Sequence, residues 1–200
     1  PDYETKPAWQ HPLEYAGQST QAKQAAVLDK MEPKADALLV SAAENACWLY
    51  NIRGQDIAMT PLLHAMALLT RDKAVLLTEP DKIGFDLDEV EVKPFSALPS
   101  LFAEMKGKAL QLDFSTTPDA IRSQAEDAGV TLVKATDPVT KLKAINNKTE
   151  LDGMRTAHIR DGAAISHFLH WMRGEAQNNP DLDELSVVKK LREFRARENH

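Results

Sequence analysis

The spacing of hydrophobic and polar positions changes near residue 137. Before this point, short apolar runs alternate with polar segments rich in turn residues, a pattern typical of buried strands. A polar triplet at 71–73 separates two of the runs and predicts a hairpin. We expect strands at 37–40, 64–70, 74–78, 90–92, 109–114 and 130–133.

Helices are predicted between these strands. Ser19 is a suitable N-cap, and Thr117-Pro118-Asp119 combines an N-cap, a proline at the first helical position and an acid near the positive end of the helix dipole. We expect helices at 19–31, 98–105 and 117–129, and a short helix or turn around 48–50. This order predicts an α/β fold over residues 19–136, a mixed sheet flanked by helices, with an extended linker at 1–18.

Beyond residue 137 the strand-like runs give way to helical spacing. Asn147 and Glu150 form a capping-box-like start for a long helix that reaches about residue 177. A second helix is predicted from residue 181 to the end. We therefore place a domain boundary near residue 137, with residues 137–200 forming a helical segment.

The long predicted helix has an apolar face that carries two polar residues. His158 and Asp161 lie one turn apart within a stripe whose members step by three and four. Because an unpaired buried polar group costs about 1–3 kcal/mol, we expect both to be hydrogen-bonded to each other or to backbone. We interpret them as a structural polar pair, and an orienting dyad at an active site is the alternative. The stripe consists of Leu151, Met154, His158, Asp161, Ile165, Phe168 and Met172.

Composition narrows the class of protein. The 43% apolar content of 200 residues suffices for one core, and no apolar stretch is long enough for a bilayer crossing, so no membrane partner is expected. The net charge of −6 arises from −7 in residues 1–136 and +1 in the remainder, which argues against nucleic acid as a partner. The single cysteine, Cys47, lies in an apolar context typical of a buried residue and is compatible with a reducing cytoplasm. Because the chain begins at Pro1 rather than Met, we expect it to be a piece of a longer polypeptide.

Local catalytic motifs give no assignment. The sequence contains no HExxH, Walker loop, GxSxG or GxGxxG pattern. His167 and His170 are spaced to chelate a metal on the long helix, but no carboxylate or third ligand accompanies them, which favours an ordinary, partly exposed pair.

The most distinctive segment is WLYNIRGQD at 48–56, where aromatic and apolar residues lead into a polar turn. In a structural interpretation, Gly54 permits an unusual backbone angle and Arg53 pairs with Asp56. In a functional interpretation, a rigid loop that carries Asn51 and Arg53 flanks a substrate cleft. Residue chemistry favours the structural interpretation and leaves both open.

Three segments resemble the long, three-domain aminopeptidase P proteins. They are the linker at 11–19, ALLVSAAENACWLYNIRGQD at 37–56 and DPVTKLKAINNKTELDGMRTAHIRDG at 137–162. The matching segments are spread over nearly the whole chain and in the family's order. The chain departs from the family pattern at 59–65, where its residues are smaller.

The resemblance implies a three-domain polypeptide. Residues 19–136 would be a creatinase/prolidase N-terminal-like domain, and residues 137–200 the first helices of a pita-bread metallopeptidase domain. The family removes an N-terminal residue when proline follows it, with two metal ions, typically manganese, held by two Asp, one His and two Glu. None of these ligands can be assigned here, so we expect this chain by itself to be metal-free and non-catalytic. The family's architecture implies a substrate-cleft flank at Asn51, Arg53, Gly54 and Asp56.

The resemblance also implies partners. The longer protein would act on peptides with proline in second position in the cytoplasm, and a homodimer is left open. One alternative is a metal-free pita-bread homologue that serves as a binding or scaffold module. The other is a sister enzyme of the prolidase or creatinase type.

Overall fold

The structure is a computed structural model that describes residues 6–197. After Asn146 the chain separates into two compact units. The first contains every strand of the described residues, and the second is helical. The strands are β1 (Trp9–Gln10), β2 (Ala37–Val40), β3 (Ile52–Arg53), β4 (Met66–Thr70), β5 (Ala74–Leu77), β6 (Val90–Lys93), β7 (Ala109–Leu112) and β8 (Thr131–Lys134).

The helices occupy the positions between and after these strands. They are α1 (Leu13–Ala16), α2 (Thr20–Asp29), α3 (Ala43–Leu49), α4 (Leu98–Glu104), α5 (Asp119–Asp127), α6 (Pro138–Ala144), α7 (Lys148–Arg173) and α8 (Glu184–Arg197). Short 3-10 turns lie at Pro80–Lys82, Phe95–Ala97 and Ala176–Asn178.

Within the described residues, six strands form a mixed sheet in the order β6-β5-β4-β2-β7-β8. β4 runs antiparallel to both of its neighbours, and the other pairs are parallel. The hairpin predicted around 71–73 joins β4 and β5. The six predicted strands and the mixed α/β class are confirmed.

Helices cover both faces of the sheet. α2, α3 and α6 pack against one face, and α4 and α5 against the other. β2 supplies both cores, because Leu38 and Val40 point to the first face and Ala37 and Leu39 to the second. None of these four residues is more than 1% exposed. A strand covered on both faces has a continuous apolar sequence, which is why this run could be recognised.

The start of the chain differs from the extended linker expected at 1–18. β1 pairs antiparallel with β3, which places Trp9 opposite Arg53, and α1 adds one helical turn. Ala8 and Ala16 are buried. A two-residue strand has no period that a sequence pattern can detect. Residues 1–5 of the expected linker lie outside the described residues.

α6 belongs to the first compact unit, although it follows the boundary placed near residue 137. Asp137 is its N-cap and accepts a hydrogen bond from the Val139 N–H at 2.9 Å. Val139 is fully buried in the core that α3 also lines. The unit therefore extends to Asn146. The boundary between domains of the longer protein stays a prediction.

The second unit is a pair of helices. The predicted capping box is present at the start of α7, where the Glu150 N–H donates to Asn147 Oδ1 at 3.0 Å and the Asn147 N–H donates to Glu150 Oε2 at 2.8 Å. Phe194 of α8 is buried and stacks on His167 with 6.1 Å between ring centroids. Much of the apolar surface of the pair remains exposed within this unit, at Leu151, Met154, Ile159, Ile165, Leu169, Leu185 and Val188.

Candidate functional site

The distinctive segment forms a tight turn between α3 and β3. Asn51 has a φ of 50°, in the left-handed region that Asn tolerates better than most residues. The His11 N–H donates to the Asn51 carbonyl at 2.7 Å. The turn is therefore tied to the N-terminal segment through its backbone.

The Asn51 side chain is buried, with 6% of the residue exposed. Its Nδ2 donates to the Gln18 carbonyl at 2.8 Å, and its Oδ1 accepts from Lys23 Nζ at 2.7 Å. Lys23 Nζ also donates to the Trp48 carbonyl at 2.9 Å and lies 4.1 Å from the Trp48 ring centroid. A buried ammonium thus occupies the inner side of the turn.

Arg53 is half-buried and bonded to the backbone of its own turn. Its Nη1 donates to the Ile52 carbonyl at 2.8 Å and to the Cys47 carbonyl at 3.3 Å. Burial raises the pKa of the Cys47 thiol, and this effect outweighs the lowering influence of a backbone hydrogen bond with Leu63 and of the Arg53 charge. Cys47 is 2% exposed, as expected for a small buried residue.

Gly54 is required for a different reason from the one expected. Its φ is not positive, and the left-handed residue of the turn is Asn51. A Cβ built on Gly54 would lie 2.8 Å from both Cα and Cβ of Leu63. The prediction of an unusual backbone angle at Gly54 was therefore wrong, and close approach of two backbone segments explains the glycine.

Asp56 is buried in an ion pair with Lys82. Asp56 Oδ1 lies 2.8 Å from Lys82 Nζ, and only 3% of the Asp56 side chain and 10% of the Lys82 side chain are exposed. Asp56 Oδ2 accepts from the His64 N–H at 2.7 Å. These bonds tie the loop after β3 to the 3-10 turn at Pro80–Lys82. Arg53 was the expected partner of Asp56, whereas the ion pair in the structure is with Lys82.

Two lysines were missed by sequence reasoning. Lys23 lies 25 residues from Trp48, and Lys82 lies 26 residues from Asp56. A single lysine on a predicted helix or turn is normally exposed, and no local signal distinguishes a buried one. Only the tertiary contacts reveal these residues.

A second polar cluster lies at the carboxyl end of β7. Asn45 Nδ2 donates to Asp137 Oδ2 at 2.7 Å and to Thr140 Oγ1 at 2.9 Å, and the Asp137 N–H donates to Asp113 Oδ2 at 3.0 Å. Burial raises the pKa of Asp137, although its hydrogen bonds oppose the change. Burial also acts to raise the pKa of Asp113, but hydrogen bonds from Ser115 and from the Asp137 N–H outweigh it and leave that pKa below its ordinary value. Since each carboxylate oxygen accepts a bond from a fixed donor, the cluster joins α3, α6 and β7 as a structural staple.

The polar residues on α7 bond to separate partners. His158 Nδ1 lies 2.8 Å from the Met154 carbonyl, and Asp161 Oδ1 accepts from Arg195 Nε of α8 at 2.7 Å. The hydrogen bond from Arg195 lowers the pKa of Asp161. His158 thus has the backbone bond expected of it, whereas Asp161 connects α7 to α8. The structural role assigned to the two residues together stays a prediction.

Residues 6–197 do not provide metal-ligand geometry. In this part of the chain, no three His, Cys, Asp or Glu side chains converge in a way that could hold a metal ion. His167 is instead stacked on Phe194. None of the described helices combines the length and the apolar character that a membrane crossing needs.

Comparison with known proteins adds evidence from sequence. Residues 1–150 match the family model described as the creatinase/prolidase N-terminal domain. The chain is 32% identical over 209 residues to a probable Xaa-Pro aminopeptidase P of Paracoccidioides brasiliensis, which covers 95% of this chain and 34% of that protein. A protein of the same name from Paracoccidioides lutzii is 32% identical over 219 residues, covering 100% of this chain and 36% of that protein. The chain thus spans about a third of the length of these relatives.

Solved structures show the same fold. An X-prolyl aminopeptidase from Caenorhabditis elegans, described as a cytosolic enzyme with a di-nuclear active site, is similar with a TM-score of 0.83 at 23% identity, over 96% of this chain and 33% of that one. An Xaa-Pro dipeptidase from Bacillus anthracis has a TM-score of 0.64 at 15% identity, over 90% of this chain and 50% of that one. At these identities the likeness is one of fold. The family match, which includes the whole α/β sheet, shows that the chain belongs to the creatinase/prolidase N-terminal domain family.

Proposed function

We propose that this chain is the middle α/β domain and the first catalytic-domain helices of an Xaa-Pro aminopeptidase. The longer protein removes the N-terminal residue from peptides that have proline in second position. The observation that carries the proposal is the alignment of 95–100% of this chain with Xaa-Pro aminopeptidase P proteins at 32% identity. The TM-score of 0.83 with the C. elegans X-prolyl aminopeptidase supports it.

The chemistry of the substrate explains why such a peptidase needs groups dedicated to holding the peptide. The bond before proline is a tertiary amide without an N–H, and the ring fixes φ near −65°. A peptidase that depends on backbone hydrogen bonds to an ordinary residue loses a donor there. Groups that hold the peptide from the side of the cleft therefore gain importance. In this chain we assign that role to the turn at 51–56.

The geometry of the turn supports a cleft-side role. The guanidinium of Arg53 is oriented by two bonds to carbonyl groups, and Arg53 as a residue is half-buried. Gly54 and Asp56 fix the loop that follows, through the Leu63 approach and the Lys82 ion pair. A binding group held by rigid surroundings loses less conformational entropy when a ligand arrives.

We assign the metal chemistry to the rest of the longer protein. The described residues offer no cluster that could hold a metal, so no step of the reaction is assigned to them. The longer protein would use two divalent ions, with manganese as the expected metal, consistent with the di-nuclear site named for the C. elegans enzyme. Residues 137–200 would begin the pita-bread domain, and the protein would act in the cytoplasm without nucleic acid or membrane as a partner. A homodimer is an open part of this proposal.

One alternative has an observation in its favour. The fold is also shared with the B. anthracis Xaa-Pro dipeptidase, at a TM-score of 0.64. A dipeptidase accepts Ala-Pro, whereas an aminopeptidase accepts Ala-Pro-Gly and longer peptides. A metal-free scaffold homologue would cleave neither.

The test compares residues 1–200 with the longer polypeptide. We expect the longer protein to hydrolyse Ala-Pro-Gly with added manganese, and residues 1–200 neither to hydrolyse it nor to bind manganese tightly in calorimetry. Turnover by residues 1–200 would contradict our placement of the site, and exclusive cleavage of Ala-Pro would favour the dipeptidase.

A variant of the turn tests its role in binding. Arg53→Ala in the longer protein should raise KM by about tenfold, the loss expected for one charged hydrogen-bonding group. Arg71→Ala, at the exposed tip of the β4–β5 hairpin, is the matched control and should leave KM unchanged. Equal KM values in the two variants would show that Arg53 does not contribute to peptide binding in the cleft.

A further inference from the structure

Lys23 is a buried cation to which the proposed function assigns no role. It lies on α2 and is 1% exposed, whereas Lys30, which follows the same helix, is exposed and contacts Asp29. Burial of an ammonium is unfavourable unless its hydrogen bonds are replaced. An apolar residue would fill the same volume without needing these hydrogen bonds. The reason for a lysine at residue 23 therefore lies in the groups that its ammonium binds.

The contacts of Lys23 converge on the turn after α3. Nζ donates to Asn51 Oδ1 at 2.7 Å and to the Trp48 carbonyl at 2.9 Å, and it lies 4.1 Å from the Trp48 ring centroid. One group thus binds the last turn of α3 and the second residue after it. The face of the Trp48 ring adds a cation–π contact.

Asn51 is the residue at which the backbone direction is set. Its φ of 50° is a conformation that costs energy for a residue with a side chain. Nδ2 is bonded to the Gln18 carbonyl, so that Oδ1 faces the ammonium. The Asn51 carbonyl accepts from the His11 N–H, and Arg53 follows two residues later in β3. A change of φ at Asn51 would redirect Arg53.

We propose that Lys23 is a positioning residue that holds Asn51 in the left-handed conformation and thereby sets the direction of Arg53. The part that concerns substrate rests on the proposed function. Lys23 itself touches no substrate in this scheme. It acts through Asn51 and the Trp48 carbonyl.

The first test measures the turn in this chain by NMR. In Lys23→Met we expect the Asn51 carbon shifts to move away from left-handed values, and exchange of the His11 amide to become about tenfold faster as the turn opens locally. Lys30→Met removes an exposed lysine beside the same helix and should change neither. A folded Lys23→Met protein with native Asn51 shifts and slow His11 exchange would overturn the proposal.

A second variant covers the case in which Lys23→Met does not fold. Asn51→Gly accepts the positive φ but offers no side-chain acceptor to the ammonium. Because glycine adopts this φ without strain, we expect His11 exchange in Asn51→Gly to stay within about twofold of the wild type, and at most about a further twofold change when Lys23→Met is added. A tenfold increase on adding Lys23→Met to Asn51→Gly would overturn the proposal, because Lys23 would then act on the turn through something other than the conformation of residue 51.

The kinetic arm uses the longer polypeptide. Lys23→Met should raise KM for Ala-Pro-Gly by about the same factor as Arg53→Ala, with kcat within about twofold, because binding is affected before chemistry. A loosened turn with an unchanged KM would refute a positioning role for Lys23 in the reaction, together with the cleft role of the turn. An absence of hydrolysis by the wild-type longer protein would refute the proposed function alone, and the NMR result would still decide whether Lys23 sets the turn.

Discussion

Gly54 offers a direct test of the backbone packing around the turn. Alanine at this position would place a Cβ 2.8 Å from Leu63 Cα and Cβ and 3.0 Å from Leu63 N. Carbon atoms in contact prefer about 3.5–4.0 Å, so the two segments would have to separate by about 0.7 Å or more. Two of the three contacts are with backbone, which cannot rotate away as a flexible side chain would.

The expected cost follows from this geometry. Overpacking by one methyl group typically destabilises by about 1–3 kcal/mol, and we expect the upper part of that range because backbone has to move. For a unit of this size, each kcal/mol lowers Tm by about 2–4 °C. Gly54→Ala should therefore unfold at a temperature lower by about 5–10 °C.

Urea and thermal unfolding followed by tryptophan fluorescence would measure the change. Trp9 and Trp48 lie in the first compact unit, so Trp171 is replaced by Phe in every variant to confine the signal to that unit. The matched control is Gly84→Ala, since a Cβ there has no neighbour within 4 Å and its φ is not positive. The control should be neutral or stabilise by up to about 1 kcal/mol.

A further variant separates backbone contact from side-chain contact. Leu63→Ala retains Leu63 Cα, Cβ and N, so it should not rescue Gly54→Ala. A Gly54→Ala protein within about 0.5 kcal/mol of the wild type would refute the close-approach explanation. Full rescue by Leu63→Ala would show that the side chain, and not the backbone, is the obstacle.

Other contacts give three further predictions. Asp56→Ala leaves the Lys82 ammonium buried without its carboxylate and should lower the free energy of unfolding in urea by about 3 kcal/mol. Asp81 is exposed, so the control Asp81→Ala should change this free energy by less than about 0.5 kcal/mol. Equal effects of the two variants would contradict a buried pair. Burial acts to raise the pKa of Asp113, but hydrogen bonds outweigh it and lower that pKa. The Asp113 carboxylate therefore stabilises the fold above the pKa of about 3.9 that it has in the unfolded chain, and this stabilisation is lost as the pH falls through the lower folded pKa. Between about pH 6 and pH 3, Asp113→Asn should therefore lose less stability than the wild type. Asn147→Ala removes the N-cap of α7 and should destabilise that helix by about 1 kcal/mol, seen as faster amide exchange in its first turn; unchanged exchange would contradict the capping box.

The strands were predictable because their signal is local. β2 is a continuous apolar run, since both of its faces are covered, and β4 and β5 are separated by a polar triplet. The predicted strand at 64–70 nevertheless begins at Met66. β1 and β3 were not predicted, because two-residue strands have no period and depend on each other for pairing.

The turn at 51–56 shows the limit of local reasoning at the candidate site. The sequence marked Asn51, Gly54 and Asp56 as unusual, but it assigned the strained backbone to Gly54, whereas Asn51 adopts it. The carboxylate of Asp56 binds Lys82, which is 26 residues away. The role of these residues as a substrate-cleft flank stays a prediction.

The sequence by itself determined the fold class, the order of the strands along the chain and the change to helices after residue 137. These follow from hydrophobic periodicity and caps, which involve neighbours within a few residues. The tertiary structure alone decided that Lys23 and Lys82 are buried, that Gly54 lies against Leu63, and that α6 packs with the sheet. Each of these depends on contacts between segments far apart in sequence, and those contacts exist only once the sheet has set the distances between its helices and loops.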